Sequence, residues 1–206
     1  MIGSSSTLFV GDNVFTYDDW LEVYDGVLYK TECLELISFF SKKLTPSSVL
    51  GEKIQGYRTS SDYFLNEEDK CPQSIKNIIN KLEKITSTLT HLPVSHQEDI
   101  SIIRYTNGQQ YKEHYDYLYF LKDQTEKSGD RLFTCMFYLN DDFTGGETCF
   151  VKEEFAVQPQ TGRAIFWKNY VHGLPNQQSL HAALPIKSGE KWVITKWIRE
   201  KPFKAT

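Results

Sequence analysis

The chain of 206 residues lacks the features that mark several large classes of protein. It has no apolar run of the length that crosses a bilayer. Its N-terminus, MIGSSSTLFVGDNVF, has no basic segment and only a short apolar patch, so it does not resemble a signal peptide. The net charge is −4 with both signs interspersed, which gives no basic surface for nucleic acid or for a membrane. We therefore expect neither as a partner.

Cysteine is also scarce, and its spacing excludes a zinc site of the usual kind. Cys33, Cys71, Cys135 and Cys149 form no CxxC pair or other zinc-ligand spacing. Cys33 falls in a helical pattern, whereas Cys135 and Cys149 fall in strand patterns. We expect buried free thiols rather than disulfides, and hence a reducing, cytoplasmic location.

Two amphipathic helices are predicted in the first half of the chain. Apolar residues recur at helical spacing from Thr31, read as the N-cap, until Pro46 ends the pattern. From Ser74 to Leu89 a single apolar stripe faces a charged side, and we expect this helix to pack on the outside of a sheet.

From Ile100 onward the pattern becomes that of strands, rich in β-branched and aromatic residues and bounded by turn residues. Helices followed by short strands predict an α+β, mainly β fold: a sheet sandwich or jelly roll buttressed by N-terminal helices. No repeat or linker divides the chain. We predict one domain over 1–206, with a leader strand or loop (1–25), a helical support region (26–98) and a jelly-roll core (99–200).

Candidate metal ligands lie shortly after the first strand of that core, beyond the Asn107-Gly108 turn, and far along the chain from it. His114 and Asp116 are two residues apart, so in an extended segment they point to the same side. Such a triplet also arises by accident, but His181 near the other end of the chain supplies a second imidazole. Two histidines and one carboxylate are typical of non-haem Fe(II) oxygenases. Lys191, ten residues after His181, is the cation that a dicarboxylate co-substrate needs.

A series of ordered motifs resembles the prolyl 4-hydroxylase family within the Fe(II)/2-oxoglutarate-dependent dioxygenases. The motifs are VLYKTECLELI, GYRTSSDYFL, IIRYTNGQQYKEHYDY, RLFTCMFYLNDDFTGGETCF, GRAIFW and SLHAALPIKSGEKWVITKWI. The resemblance extends from about Val27 to Glu200 and implies a double-stranded β-helix that carries the iron site in residues 99–200. It also implies hydroxylation of a prolyl residue in a peptide or protein, coupled to conversion of 2-oxoglutarate and O2 to succinate and CO2.

The resemblance assigns a role to each residue of the reaction centre. His114, Asp116 and His181 are the expected catalytic iron ligands. His172 is the competing histidine, but it precedes the GLPNQQSLHAALP loop and lies too far from Lys191 for the family register. Ascorbate is expected as a further cofactor. The expected co-substrate residues are Lys191, which pairs with the C5 carboxylate of 2-oxoglutarate, and Tyr105, Tyr138 and Thr148 as hydrogen-bond donors.

The positions that match the peptide-binding residues of the family are Arg58, Ser60, Glu98, Tyr111, Arg131 and Trp197. Tyr111 and Trp197 are the candidates for stacking on a proline ring, and a polyproline II ligand arrives already extended. Two alternatives stay open at this stage: Arg58 and Ser60 as solvated residues, and Glu98 and Arg131 as ordinary surface charges. Arg199 stands where many relatives have a histidine, which puts substrate details in doubt.

Several rival functions remain at the level of sequence, because a fold and an iron centre do not set the substrate. The most serious is a 2-oxoglutarate-dependent hydroxylase of another residue, such as lysine, or of a small molecule. A cupin-like hydrolase or dioxygenase without 2-oxoglutarate and a binding module without catalysis are the others. We expect a proline-containing peptide or protein as the substrate, and a monomer or weak homodimer.

Overall fold

The computed structural model describes residues 11–47, 56–66, 69–119 and 121–203. The helices in this part of the chain are α1 (Lys30–Phe40), α2 (Gln73–Thr90) and α3 (Lys122–Thr125). The strands are β1 (Asp12–Tyr17), β2 (Leu21–Asp25), β3 (Thr45–Pro46), β4 (Ser61–Leu65), β5 (Ile100–Tyr105), β6 (Tyr111–His114), β7 (Arg131–Tyr138), β8 (Thr144–Gly145), β9 (Thr148–Phe150), β10 (Phe155–Val157), β11 (Ala164–Lys168), β12 (Tyr170–Val171), β13 (Leu174–Pro175), β14 (His181–Ala183), β15 (Ile186–Ser188) and β16 (Lys191–Arg199).

A large antiparallel sheet and a small one form the core. The large sheet has eight strands in the order β1-β2-β11-β7-β16-β5-β4-β3. Its central strand β16 is buried along its whole length, because both of its faces are covered. The small sheet has four strands in the order β10-β9-β14-β6. This arrangement, with helices on one side, confirms the predicted jelly roll supported by helices.

Helices α1 and α2 cover the outer face of the large sheet. Helix α2 places Ile75, Ile78, Leu82 and Ile85 in one buried stripe, and these side chains join a cluster with Phe137 and other apolar residues of the sheet. The spacing of three and four residues puts them on one side of the helix, as the sequence predicted. The N-cap of helix α1 lies two residues earlier than predicted, at Tyr29 rather than Thr31. The backbone N–H of Tyr29 donates to Glu32 at 2.7 Å.

A second apolar cluster, rich in aromatic rings, fills the space between the two sheets. Trp20, Tyr138, Phe150 and Trp167 are all fully buried in it. The ring of Phe150 on the small sheet meets those of Trp20 and Trp167 edge-on, at centroid distances of 5.4 and 5.6 Å. Edge-to-face contacts of this kind add to the free energy gained from burial. These contacts fix the distance between the small sheet and the large one.

The N-terminal segment corrects one prediction. Residues 1–10 of the expected leader lie outside the described part of the chain, but residues 12–25 form the β1–β2 hairpin of the large sheet. Strand β2 pairs with β11, and the Trp20 carbonyl accepts a hydrogen bond from the Lys168 backbone at 2.8 Å. The interpretation of residues 1 to about 20 as a loosely held leader is therefore wrong for residues 12–20. The partner strand of β2 is β11, which lies over a hundred residues further along the chain, and no local sequence pattern predicts such a pairing.

The expected helical support region, 26–98, contains more than helices. The segment that includes GYRTSSDYF, read from the sequence as a short polar strand or loop, continues into β4, and β4 pairs with β5 along five residues. Strands β3 and β4 therefore extend the large sheet from within this region. This pairing satisfies the backbone N–H and C=O groups along the edge of β5, which would otherwise lack partners in the sheet.

All four cysteines are free thiols, with Cys33 and Cys135 buried and Cys71 and Cys149 partly buried. Burial raises the pKa of Cys33 and of Cys135 to about 12, which leaves both as inert packing groups. Among the described helices, none combines the length and apolar character that a membrane crossing requires.

The junction between the N-terminal hairpin and the core depends on Gly162. The Gly162 carbonyl accepts hydrogen bonds from the backbones of Val27 and Leu28, and its φ is +79°. A Cβ at this position would overlap the Leu28 carbonyl oxygen, whereas a Cβ at Gly26, with φ +68°, would meet nothing within 4 Å. Gly162 therefore carries a steric constraint that Gly26 does not.

We predict that Gly26→Ala lowers the free energy of unfolding by about 1–2 kcal/mol, the usual cost of a left-handed alanine. Gly162→Ala should lower it clearly further, because the overlap adds to the same backbone strain. Urea denaturation followed by circular dichroism measures both variants. Equal losses in the two variants would contradict a specific role for the Gly162 junction.

Candidate active site

Three metal-binding side chains converge on the small sheet. Strands β6 and β14 pair antiparallel with His114 directly opposite His181, and Asp116 follows β6 by two residues. Asp116 Oδ1 lies 3.8 Å from His114 Nε2, and its Oδ2 lies 3.9 Å from His181 Nε2. One ligand atom from each residue lies within 4.8 Å of the other two. The structure thus brings together the three residues that the sequence predicted as ligands.

Backbone carbonyls set the tautomer of both histidines. His114 Nδ1 lies 2.7 Å from the Lys112 carbonyl, and His181 Nδ1 lies 2.9 Å from the Ser179 carbonyl. A carbonyl only accepts, so each Nδ1 carries a hydrogen, and in the neutral form of each ring the lone pair is on Nε2. Burial, and then the neighbouring His181, lowers the pKa of His114 to about 3. His114 is therefore neutral at physiological pH, which is the form that binds a metal.

Asp116 supplies the negative charge of the group. Burial alone would raise the pKa of this carboxyl, but His181, His114 and Arg131 together with the Thr134 hydroxyl bring the pKa below its ordinary value. The Thr134 hydroxyl donates to Oδ2 at 2.8 Å. Asp116 is therefore an ionised ligand whose orientation is held by a hydrogen bond.

Aromatic rings pack on both histidines. Tyr111 stacks on His114 with ring centroids 3.5 Å apart, and Trp167 meets His181 edge-on at 4.9 Å. The Arg58 guanidinium lies over the Tyr111 ring at 5.0 Å. These contacts restrict both imidazole rings and shield the space between them from water on the side of the sheet.

The chemical types of the three ligand side chains indicate which metal the site can hold. It offers two imidazoles and one ionised carboxylate, whose ligand atoms lie within 4.8 Å of one another, and no thiolate. This combination is typical of Fe(II) sites that keep positions for small molecules, and a closed structural zinc site would require a fourth protein ligand. Within the described residues, His114, Asp116 and His181 are the group of this kind. The residues therefore fit Fe(II).

Lys191 is a buried cation at the inner end of the site. It begins β16, pairs in register with Tyr105 on β5, and is 1 % exposed. Its ammonium donates to the Gly146 carbonyl at 2.7 Å and lies 5.4 and 5.2 Å from the ring centroids of Tyr105 and Tyr138. In the part of the chain that the structure describes, no carboxylate lies within ion-pair distance of it. Burial lowers the pKa of Lys191 to about 7.

The other predicted co-substrate residues differ in their access to the cavity. Tyr105 and Thr148 line it together with Lys191. Tyr138 is fully buried behind Thr148, with 2.6 Å between its hydroxyl and that of Thr148 and 3.3 Å to the Val157 carbonyl. The hydroxyl of Tyr138 is thus engaged by the protein itself. It supports Thr148 rather than facing the open space, which corrects its expected role as a direct donor.

A single cavity of about 790 Å³ runs past all these groups. Besides the three ligands, Lys191, Tyr105 and Thr148, it is lined by five of the predicted peptide residues: Arg58, Glu98, Tyr111, Arg131 and Trp197. The sixth, Ser60, is buried behind Arg58, whose Nε donates to the Ser60 hydroxyl at 3.1 Å. Arg58 also pairs with Asp62 at 2.8 Å. The alternative that Arg58 and Ser60 are solvated residues is therefore wrong.

A buried charge cluster forms the other end of the cavity, and it excludes the alternative of ordinary surface charges. Arg131 Nε and Nη2 donate to the two oxygens of Glu98 at 2.6 and 2.8 Å, and Arg199 Nε lies 2.6 Å from Glu98 Oε1. All three residues are less than 9 % exposed. The Arg131 guanidinium lies over Trp197, 3.9 Å from its ring centroid. Arg199, where many relatives have a histidine, is thus a second cation on one carboxylate.

The competing histidine lies elsewhere. His172 is exposed at the turn between β12 and β13, with φ +51°. It does not belong to the group that converges on Asp116.

Sequence reasoning missed three residues around the ligands. Thr134 and Asn169 are fully buried, and Asn169 Nδ2 donates to the Thr134 hydroxyl at 3.0 Å. Gln177, just before His181, accepts from the Tyr115 hydroxyl at 3.0 Å and donates to that of Tyr117 at 3.2 Å. A single polar residue inside a buried strand, such as Thr134 in FTCMF, was the available signal.

Comparison with known proteins agrees with this geometry. Residues 100–199 match the model of the 2OG-Fe(II) oxygenase superfamily. Prolyl 4-hydroxylase 2 of Arabidopsis thaliana is 34 % identical over 88 % of this chain and 67 % of its own length. A viral collagen prolyl hydroxylase of Paramecium Bursaria Chlorella virus-1, solved with 2OG, is 30 % identical, with a TM-score of 0.69 over 88 % of this chain and 96 % of that one.

The chain belongs to the prolyl 4-hydroxylase family. A prolyl hydroxylase of Trichoplax adhaerens, solved with a peptide fragment of hypoxia inducible factor, shares the fold at 14 % identity and a TM-score of 0.68. The predicted family and the predicted fold are therefore confirmed. As in other Fe(II)/2-oxoglutarate dioxygenases, the cofactors of this family member are Fe(II), 2-oxoglutarate and O2.

For this prolyl 4-hydroxylase relative, we predict that Glu98→Ala lowers the free energy of unfolding by about 3–5 kcal/mol, because it leaves two buried guanidinium groups without their counter-charge. Chemical denaturation measures the loss. The control is Glu190→Ala, whose carboxylate lies 3.9 Å from Arg104 and is half exposed; its loss should stay below about 1 kcal/mol. Similar losses in both variants would show that the Glu98 cluster is no more than a surface pair.

Proposed function

We propose that the protein hydroxylates prolyl residues of a peptide or protein, using His114, Asp116 and His181 to hold Fe(II) and Lys191 to hold 2-oxoglutarate. One observation carries the proposal: a buried ammonium with no carboxylate of the described residues within ion-pair distance shares one cavity with three converged metal ligands. A buried cation needs a counter-charge to stay charged. A dicarboxylate that also reaches the metal supplies it.

The three metal ligands have separate tasks. The imidazoles of His114 and His181 present Nε2 lone pairs because their Nδ1 hydrogens are engaged by backbone carbonyls. Asp116 contributes the negative charge that favours a divalent ion. When bound, Fe(II) supplies the electrons that activate O2 and couple decarboxylation of 2-oxoglutarate to hydroxylation of the substrate.

The co-substrate end of the cavity combines hydroxyl donors with apolar side chains. Lys191 donates to the distal carboxylate, and Tyr105 and Thr148 are the hydroxyl donors beside it. Ile103 and Val193 also line the cavity and pair with each other two residues along from Tyr105 and Lys191, so they are the apolar neighbours that exclude water from the ammonium. Low local polarity strengthens the ion pair with the co-substrate. Tyr138 acts through Thr148, whose hydroxyl it holds.

The peptide end is aromatic and charged. Tyr111 and Trp197 offer ring faces to a proline, and Arg131 and Arg58 offer N–H groups to peptide carbonyls. Glu98 holds the Arg131 guanidinium flat against Trp197. A proline-containing segment is extended and has few hydrogen-bond donors of its own. It therefore suits a cavity wall that provides both N–H donors and aromatic ring faces.

Other substrates would have to satisfy the same wall. A lysyl side chain would add a cation to a wall on which Arg131 and Arg199 already share the single carboxylate of Glu98, and like charges in a partly buried site repel. This observation favours proline over lysine. Ascorbate as an auxiliary reductant, a monomer or weak homodimer and a cytoplasmic location stay predictions from the sequence.

We predict that the protein, with Fe(II), 2-oxoglutarate and ascorbate, adds one oxygen atom to proline-containing peptides, detected by mass spectrometry with succinate formed in equal amount. His114→Ala, Asp116→Ala and His181→Ala should each lose turnover. His172→Ala is the matched control and should keep it. Wild-type turnover in His181→Ala, or product from lysine peptides alone, would contradict the proposal.

A second prediction concerns pH. With a pKa of about 7 in the free protein, Lys191 is increasingly neutral as pH rises above that value, whereas the dicarboxylate binds the ammonium form. The affinity for 2-oxoglutarate should therefore fall with rising pH above about 7, by up to roughly tenfold per pH unit. Isothermal titration of the Mn(II)-loaded protein with 2-oxoglutarate measures it.

The control for the pH dependence is Lys191→Arg, because a guanidinium stays charged throughout this range. Its affinity for 2-oxoglutarate should be weaker but nearly independent of pH. If wild type and Lys191→Arg follow the same pH curve, the titrating group is not Lys191. Lys191→Ala should raise the KM for 2-oxoglutarate more than it lowers kcat.

A further inference from the structure

A buried chain of hydrogen bonds leads from the large sheet to the metal-binding carboxylate. Asn169, which follows β11, places Nδ2 3.0 Å from the Thr134 hydroxyl on β7. The Thr134 hydroxyl lies 2.8 Å from Asp116 Oδ2. Asn169 and Thr134 are fully buried, and Asp116 is 5 % exposed. The three side chains come from three separate stretches of the sequence.

The chemistry of the end groups sets the direction of both hydrogen bonds. An ionised carboxylate only accepts, so the single hydrogen of the Thr134 hydroxyl points to Asp116. The hydroxyl oxygen then accepts from the other side, and only the N–H of the Asn169 amide can donate to it. The amide therefore prevents the hydroxyl from turning away, because a rotated hydrogen would meet an N–H group.

The backbone of Asn169 is held on both sides. Its N–H donates to the Leu132 carbonyl at 2.8 Å, and its carbonyl accepts from the Asn176 N–H at 2.8 Å. The Asn176 side chain in turn donates to the Lys168 carbonyl at 2.9 Å. The amide of Asn169 thus starts from a rigid point, which a positioning role requires.

The remaining polar atom of Asn169 argues against a role in stability. Asn169 Oδ1 is buried and has no hydrogen-bond donor among the described residues. An unsatisfied buried amide oxygen costs free energy of folding, and an apolar side chain of similar volume would avoid that cost. The asparagine is therefore explained by what its Nδ2 does for Thr134.

From this geometry we propose that Thr134 and Asn169 are positioning residues for the metal: Asn169 orients the Thr134 hydroxyl, and Thr134 orients Asp116. The hydrogen bond occupies one lone pair of Oδ2 and leaves both lone pairs of Oδ1, the atom nearer to His114, for the ion. The inference rests on the proposed function, since it presumes that the three ligands bind a divalent metal.

The test measures metal binding rather than turnover. Mn(II) is titrated into the metal-free protein, and the free ion is counted by electron paramagnetic resonance. Thr134→Val keeps the shape of the side chain and removes the hydroxyl, and it should weaken Mn(II) binding roughly 10- to 100-fold, as removal of a partner of a metal ligand does. Thr134→Ser restores the hydroxyl and should restore most of the affinity.

Asn169→Leu separates positioning from folding. It should weaken Mn(II) binding less than Thr134→Val does, because the hydroxyl remains but is free to turn. It should also leave the thermal unfolding temperature of the metal-free protein unchanged or higher, since the unsatisfied oxygen is gone. Thr86→Val, at an equally buried threonine of helix α2 on the side of the large sheet away from the metal ligands, is the matched control and should leave the Mn(II) affinity unchanged.

The double variant Thr134→Val/Asn169→Leu decides whether the two residues act in series. If Asn169 acts only through Thr134, the double variant binds Mn(II) as weakly as Thr134→Val alone. Multiplied losses, or affinity in Thr134→Val within about twofold of wild type, would overturn the inference. Wild-type protein that binds no Mn(II) would instead overturn the proposed function itself, and this inference with it.

Discussion

The antiparallel pairing of β6 with β14 is the constraint on which the rest of the site depends. It places His114 and His181, sixty-seven positions apart in the chain, directly opposite each other on neighbouring strands. Cross-strand neighbours have Cβ atoms about 5 Å apart, which is the separation that two ligands of one ion need. Because a slip of one residue would turn either histidine to the other face, the register of this small sheet is itself part of the metal site.

The small sheet keeps its place through the aromatic cluster beneath it. Phe150 pairs in register with His181. Its ring packs on Trp20, between β1 and β2, and on Trp167 of β11. The β1–β2 hairpin therefore contributes to the site although it lies far from it, since it delivers Trp20. A segment predicted only as a leader strand or loop thus supports the strand that carries His181.

The sequence predicted the ligands better than it predicted their surroundings, for a physical reason. His114 and Asp116 are close in sequence, and two helices and several strands have strong apolar periodicity. By contrast, Glu98 gave no sign of being buried, because its burial depends on Arg131 and Arg199, 33 and 101 positions away. Charged residues in isolation indicate solvent exposure, and only tertiary pairing reverses that expectation.

The alternation of β7 shows how one strand serves both stability and chemistry. Cys135 and Phe137 point to the helices and join the apolar cluster with α2, whereas Thr134, Met136 and Tyr138 point to the small sheet. On that second face each polar atom has a specific partner: Thr134 holds Asp116, and Tyr138 holds Thr148. A strand that is buried on both faces usually carries apolar side chains. The hydroxyl groups of β7 therefore indicate the positions at which the fold supports the residues of the reacting centre.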